Sequence, residues 1–189
     1  KVITGYKTSE KIKDKDFKLF VQWLYLMKSS NNATFSTYET FIRNNLDFPR
    51  IGRLQYLAEQ KIYLKNNSPK NIIRWFEEFP PVSGTGKLKL GEAYFELKDL
   101  NNSKQLIKDG WVNADLSKSQ LRFYRKKFKS ILDSEDHIKR ADYLAWNRKY
   151  WDLKRMLVYL PSDFKALYNA RQILMSNSYG VDNAIAKVP

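Results

Sequence analysis

Residues 133–176 read DSEDHIKRADYLAWNRKYWDLKRMLVYLPSDFKALYNARQILMS, and this stretch decides the fold class. Ile138, Ala141, Leu144 and Ala145 recur at helical spacing. Tyr150, Leu153, Met156, Leu157 and Leu160 form a second stripe, and Phe164, Leu167, Ala170 and Leu174 a third. Only turn signals separate them. No helix this short buries an apolar face by itself, so each must pack on its neighbours.

The same pattern runs upstream. Phe17, Phe20, Val21, Leu24 and Met27 make a stripe that Ser30 to Asn32 interrupts, and Ser36 with Glu39 has the spacing of a capping box for a helix through Phe41, Ile42 and Leu46. Pro49 closes that element. Ile51, Leu54, Leu57, Ala58 and Ile62 follow, Asn66 and Asn67 stop them, and Ser68-Pro69 has the cap chemistry for a helix carrying Ile72, Ile73 and Phe76. The Pro80-Pro81 pair forces an extended break, and Ser83, Gly84 and Gly86 predict a turn-rich loop after it.

Beyond that loop, Leu88 to Leu97 and Ser103 to Val112 read as a hairpin around Asn101-Asn102. Ser117 to Leu132 reads as a longer helix with Leu121, Tyr124, Phe128, Ile131 and Leu132 inward. Tyr124 fits such a stripe provided that its hydroxyl reaches a partner. Residues 1–13 are polar and aperiodic and predict an extended lead-in or a helix broken off at the chain start. No alternating strand bounded by hairpin turns is found. The expectation is an all-α chain of about ten or eleven helices.

Internal similarity points to repetition. A shift of 50 residues superposes Gly91 on Ala141, Tyr94 on Leu144, Leu100 on Tyr150, Leu106 on Met156 and Ile107 on Leu157, so that small residues meet small ones and large meet large. A shift of 34 sets Ile72 and Ile73 on Leu106 and Ile107, the period of a tetratricopeptide hairpin, although the full tetratricopeptide consensus is missing. The expected architecture is a right-handed α-superhelix of stacked helix hairpins, tetratricopeptide-like but degenerate. It forms a single domain over 1–189, with 80–86 as the place where that domain could divide.

Composition bounds the chemistry. With 43% hydrophobic and 15% aromatic residues, 189 residues can bury a core. No apolar run approaches the ~20 residues that a membrane span needs. The chain starts at Lys1 without an export signal, which is expected of a processed chain or of a piece of a longer protein. Zero cysteines exclude disulfides, thiolate catalysis and Cys-ligated zinc. The single histidine, His137, reads as a partly exposed first-turn residue with no catalytic role, and neither a metal site nor a cofactor is implied.

Lysine and arginine outnumber aspartate and glutamate 34 to 20, a net charge of +14 that attracts polyanions. Lysine exceeds arginine by more than two to one and asparagine is abundant, which a solvated basic surface also produces. The sharpest cluster is Lys118, Arg122, Arg125, Lys126, Lys127 and Lys129. Of these, Arg122, Arg125, Lys126 and Lys129 share a helical face and are the candidate binding residues for carboxylates or phosphates. A solvated charge run is the other reading of that face.

Familiar catalytic patterns fail on inspection. Gly86-Lys87 lacks the Walker spacing and the Ser or Thr that must follow, so it is no phosphate loop. Glu77-Glu78, Glu92 with Glu96, and Glu135-Asp136 offer paired carboxylates. Glu92 and Glu96 equally suit an exposed face near Lys89, and Glu135 with Asp136 suit a helix start.

Three segments in order carry a resemblance: GEAYFELKDLNNSKQLIKDGW (91–111), RADYLAWNRKYWDLKRMLVYLP (140–161) and ARQILMSNSYGVDNAIAKVP (170–189). Together they resemble the N-terminal α-superhelical region of soluble lytic murein transglycosylases. The most specific part is Arg-x-Asp-x-Leu-x-Trp, here Arg140, Asp142, Leu144 and Trp146, followed by Arg155-Met156-Leu157. The resemblance covers the second half well and the first half in outline. It implies a periplasmic protein acting on peptidoglycan, whose helices curve into a ring or U while a separate lysozyme-like domain cleaves the glycan with a glutamate, usually in a Glu-Ser pair. No Glu-Ser pair occurs here, and the helical stripes run on to the last residues. The expectation is therefore a non-catalytic scaffold fragment, inactive alone, with Arg140 and Asp142 tying helices together. A helical-repeat adaptor for a protein partner and a basic nucleic-acid binder are the alternatives, the second predicting affinity that falls steeply with salt.

Overall fold

The computed structural model describes residues 13–176 and 179–189; the predicted lead-in falls outside these except for Lys13. The described residues form eleven α-helices and no strand, so the protein is all-α. The chain divides into two compact units, Lys1–Val82 and Ser83–Pro189.

In the first unit, α1 (Lys15–Met27), α2 (Phe35–Asn44), α3 (Ile51–Glu59) and α4 (Pro69–Glu78) bury Leu26, Tyr38, Ile42, Leu54, Ile62, Ile72 and Trp75 completely or nearly so. Ser68 caps α4 as expected, accepting from the Asn71 amide at 3.3 Å, with Pro69 in the first turn. The capping box expected at Ser36 and Glu39 is not formed. Thr34 caps α2 instead, accepting from the Thr37 amide, and Glu39 pairs with Arg43 at 3.2 Å. The α1 stripe is also displaced: Tyr25 and Leu26 are buried, while Phe17, Phe20 and Leu24 are exposed among the described residues.

In the second unit, α5 (Gly84–Glu96) and α6 (Leu100–Asn113) form a hairpin, followed by α7 (Lys118–Lys127). A second hairpin joins α8 (Ser134–Trp146) to α9 (Tyr150–Met156), a 3-10 turn (Leu157–Tyr159), α10 (Ser162–Met175) and α11 (Val181–Ile185). The loop expected at Ser83, Gly84 and Gly86 is the first turn of α5, because the Ser83 hydroxyl accepts from the Gly86 amide at 3.0 Å and starts the helix there. The helix expected to reach Leu132 stops at Lys127; Phe128 leaves the helical region and the chain turns through Ile131. In α10 the inward positions are Tyr168, Ala170 and Gln172, whereas Phe164 and Leu174 are exposed.

The two hairpins repeat one another in backbone detail, 50 residues apart. Their caps are Ser83 and Asp133, and their first helices run 84–96 and 134–146. Both turns place a long-chain cation in the left-handed region, Lys98 at φ 65° and Arg148 at φ 52°. The same hydrogen bonds close them: Asp99 N to Tyr94 O at 3.0 Å matches Lys149 N to Leu144 O at 2.9 Å. The second helices then diverge. Proline at 161 drives Leu160 into an extended conformation and ends α9 after one 3-10 turn, while α6 continues to Asn113. A shift of 34 sets the helices α3 and α4 within the spans of α5 and α6 but does not carry over the caps, since Ser68, the cap of α4, falls on Asn102 inside α6.

Glycine permits the close approach of α5 and α6. A Cβ on Gly110 would lie 2.5 Å from Leu88 N and 2.8 Å from Gly84 O, and one on Gly91 would lie 2.9 Å from Ile107 Cγ1. The core continues through Leu88, Ile107, Trp111, Phe128, Ala141, Leu144, Leu153 and Met156, all nearly or completely buried.

Candidate functional site

A capping box of Ser117 and Gln120 starts α7 and turns Leu121 and Tyr124 into the core. Arg122 and Lys126 consequently point away from it and are exposed. Arg125, on the same helix, is half-buried with its guanidinium carbon 4.4 Å from the centre of the Tyr159 ring. Lys129 is exposed in the turn beyond the helix, so the face predicted from a continuous helix is interrupted at its last member. Arg122, Arg125, Lys126 and Lys129 form no ion pair among the described residues. They are available to an external anion, with Arg125 the most constrained.

Lys127 points the other way. Its ammonium lies 2.6 Å from Glu92 Oε1 and 2.7 Å from Glu96 Oε1, and the Tyr124 hydroxyl donates to Glu92 Oε2 at 2.9 Å. Glu92 is thus buried and partnered, not on an exposed face, and Lys89 is buried 3.9 Å from it. Burial pushes the Lys89 ammonium below its ordinary pKa, only partly opposed by Glu92. Burial also opposes the charge on Lys127, but its hydrogen bonds to Glu92 and Glu96 outweigh this and raise its pKa. Sequence spacing missed the arrangement because α5 is buried on nearly all sides and lacks a single apolar stripe.

Most members of the remaining carboxylate pairs also have structural occupations. Glu78 pairs with Arg43. Asp133 and Asp136 form the capping box of α8, accepting from each other's amides at 3.0 Å, and Lys108 of α6 reaches both carboxylates at 2.8 Å. Glu135 pairs with Lys139 at 2.7 Å. His137 is partly exposed, with its ring 5.4 Å from Trp111 and 6.3 Å from Tyr159. No group of three or more metal-ligating side chains occurs among the described residues.

The Arg-x-Asp-x-Leu-x-Trp positions divide between two faces of α8. Arg140 and Leu144 are buried. The Arg140 guanidinium donates to the carbonyls of Trp111 and, at 3.0 Å, Ala114, where α6 ends. Asp142 accepts from Arg171 at 2.7 Å and from the Tyr168 hydroxyl at 3.2 Å, which ties α8 to α10. Trp146 is 74% exposed, with the Arg171 guanidinium carbon 5.1 Å from its ring centre. Of the following trio, Arg155 pairs with Asp152, and Met156 and Leu157 are buried.

Comparison of the chain with protein-family models, curated proteins and solved structures finds no match.

Proposed function

We propose that this chain is a non-catalytic helical scaffold of a periplasmic peptidoglycan lytic transglycosylase, its hairpins stacking as a right-handed, degenerate tetratricopeptide-like superhelix. In this reading the chain supports wall binding and cleavage by the full protein, and glycan cleavage belongs to a lysozyme-like domain with its own glutamate. Arg122, Arg125, Lys126 and Lys129 supply cations for the carboxylates on peptidoglycan stem peptides.

The observation that carries the reading is what the motif residues touch. Arg140 bonds the end of the preceding hairpin and Asp142 bonds α10, so the two charged residues of the motif make inter-helix ties. Such ties suit a stacked scaffold. They leave no motif carboxylate both unpartnered and enclosed for acid catalysis.

The test is sedimentation of the purified chain with insoluble peptidoglycan across a salt titration, beside a nucleic-acid control. Retention on the wall, weakened by salt and by charge reversal at Arg122 and Lys126, with no soluble glycan released, is expected. Release of glycan fragments would overturn the non-catalytic assignment. Salt-sensitive binding to nucleic acid without wall retention would favour the nucleic-acid alternative, and retention of neither polymer would favour the protein adaptor.

A further inference from the structure

We propose that the groove along α8, flanked by Val112 of α6 and Tyr168 of α10, is a binding subsite for one or two sugar rings of an uncharged glycan strand, with Trp146 as its platform. The groove is a trough open to solvent with a volume of about 560 Å³, within the range of small-molecule clefts, roughly 300–1,000 Å³. Trp146, Tyr143 and Tyr168 give it aromatic walls, and Asp142, Asn147 and Lys139 give it polar edges.

Trp75 and Trp111 are completely buried, whereas Trp146 and Trp151 are both exposed, and of these two it is Trp146 that lines the groove. Leaving an indole this exposed forgoes burial of the most apolar area any side chain offers, unless a ligand covers it. Arg171 also lies against the Trp146 ring. Arg171 reaches Asp142 at 2.7 Å while its guanidinium carbon stays 5.1 Å from the Trp146 ring and 5.4 Å from the Tyr168 ring. Asn147 is fixed by donation to the Tyr143 carbonyl at 2.8 Å. A braced aromatic surface loses little freedom on binding.

The polar edge selects the ligand. Both hydrogen bonds to Asp142 fall on Oδ1, so Oδ2 takes none from the described residues and can accept from a ligand hydroxyl. The Asn147 side-chain oxygen is another acceptor without a partner among them. Lys139, the cation in the groove's lining, is already engaged by Glu135, and Arg171 beside the groove by Asp142. A phosphate would meet an exposed carboxylate with no uncommitted cation to offset it. A sugar ring presents C–H groups to the negative face of an aromatic ring and hydroxyls around its edge, which matches a platform rimmed by acceptors. This site is separate from the basic face on α7; only the choice of an N-acetylated glycan as probe rests on the proposed function.

Titration calorimetry of the whole chain with a neutral β-1,4-linked N-acetylglucosamine oligomer tests the site, with single-stranded DNA as a parallel titrant. Trp146→Ala should weaken oligomer binding by about tenfold or more, and Trp146→Tyr should restore most of it. Both variants should keep the wild-type melting temperature, because the side chain is exposed. No oligomer binding, binding unchanged by Trp146→Ala, or Trp146-dependent binding of DNA in place of the oligomer would each overturn the proposal. Wall retention that persists in Trp146→Ala with no oligomer binding would sink this site and leave the scaffold reading standing. Trp146-dependent oligomer binding without wall retention would do the reverse.

Discussion

Arg140 donates from its guanidinium to the carbonyl oxygen of Ala114 at 3.0 Å, joining the middle of one helix to the end of another 26 positions earlier in the chain. The same guanidinium bonds the Trp111 carbonyl, one of the groups that the last turn of α6 leaves without a partner in its own helix. A cation at a helix C-terminus also meets the negative end of the dipole. Burial pushes the pKa of Arg140 down to about 10, which still leaves it charged at neutral pH. Arg140→Ala opens a cavity and strands buried carbonyls, so the unfolding free energy should fall by about 3 kcal/mol or more. Arg140→Lys keeps the charge and loses the fork, and should fall in between. Urea unfolding with an unchanged m-value would establish this; a change below about 0.5 kcal/mol for the alanine variant would refute the tie.

His137 makes stability depend on mild acid. Burial pushes its pKa below the usual 6.5, and the nearby Arg125 adds to the depression. Between that lowered value and 6.5 the unfolded chain binds more protons than the folded one, so stability rises with pH across the window. It is lost as pH falls through the folded pKa. His137→Phe keeps a ring beside Trp111 and removes the titration. The difference in melting temperature between variant and wild type should therefore shift in the variant's favour as pH is lowered below 6.5. A difference that does not change with pH would exclude the mechanism.

Helical periodicity made the all-α class readable, and the 50-residue shift anticipated a repeat that the structure bears out in caps, turns and hydrogen bonds. Residues whose role depends on a second helix were harder to read. Glu92 and Lys89 look like surface charges in sequence because nothing local reveals that Tyr124 and Lys127, more than 30 positions on, close over them. Gly110 looks like a helix weakness until α5 is brought against it. Arg122, Arg125, Lys126 and Lys129 were legible as a charged cluster, but their shared face assumed a helix continuing past Lys127. Trp146 was legible as a motif residue, yet not as an exposed one, since exposure of an apolar ring follows from where α10 lies.

Glu92→Gln should destabilise the second unit by about 3 kcal/mol, because it removes the carboxylate charge that two neighbouring ammonium groups, Lys89 and Lys127, share. Adding Lys89→Met to that variant removes one of the two cations that Glu92 faces. The double variant should recover part of the loss, so that the two single effects are not additive. Chemical denaturation of the four proteins in the cycle measures the coupling, and strict additivity would show that the buried charges do not sense each other.

Gly110 and Gly52 should respond to alanine in opposite directions. Both lie in helices, where alanine is intrinsically favoured over glycine by about 1 kcal/mol. A Cβ at position 52 meets nothing within 4 Å, so Gly52→Ala should realise much of that gain in its own unit. At position 110 the new Cβ would sit 2.5 Å from Leu88 N and 2.8 Å from Leu88 Cα, and backbone atoms cannot swing aside as a flexible side-chain end can. Gly110→Ala must push α5 and α6 apart, with a cost of roughly 1–3 kcal/mol that exceeds the propensity gain. Amide hydrogen exchange supplies a local readout: protection in α5 and α6 should drop in Gly110→Ala, while Gly52→Ala should raise protection in α3. Equal stabilisation by both substitutions would mean that the two helices are not held in the close contact that glycine allows.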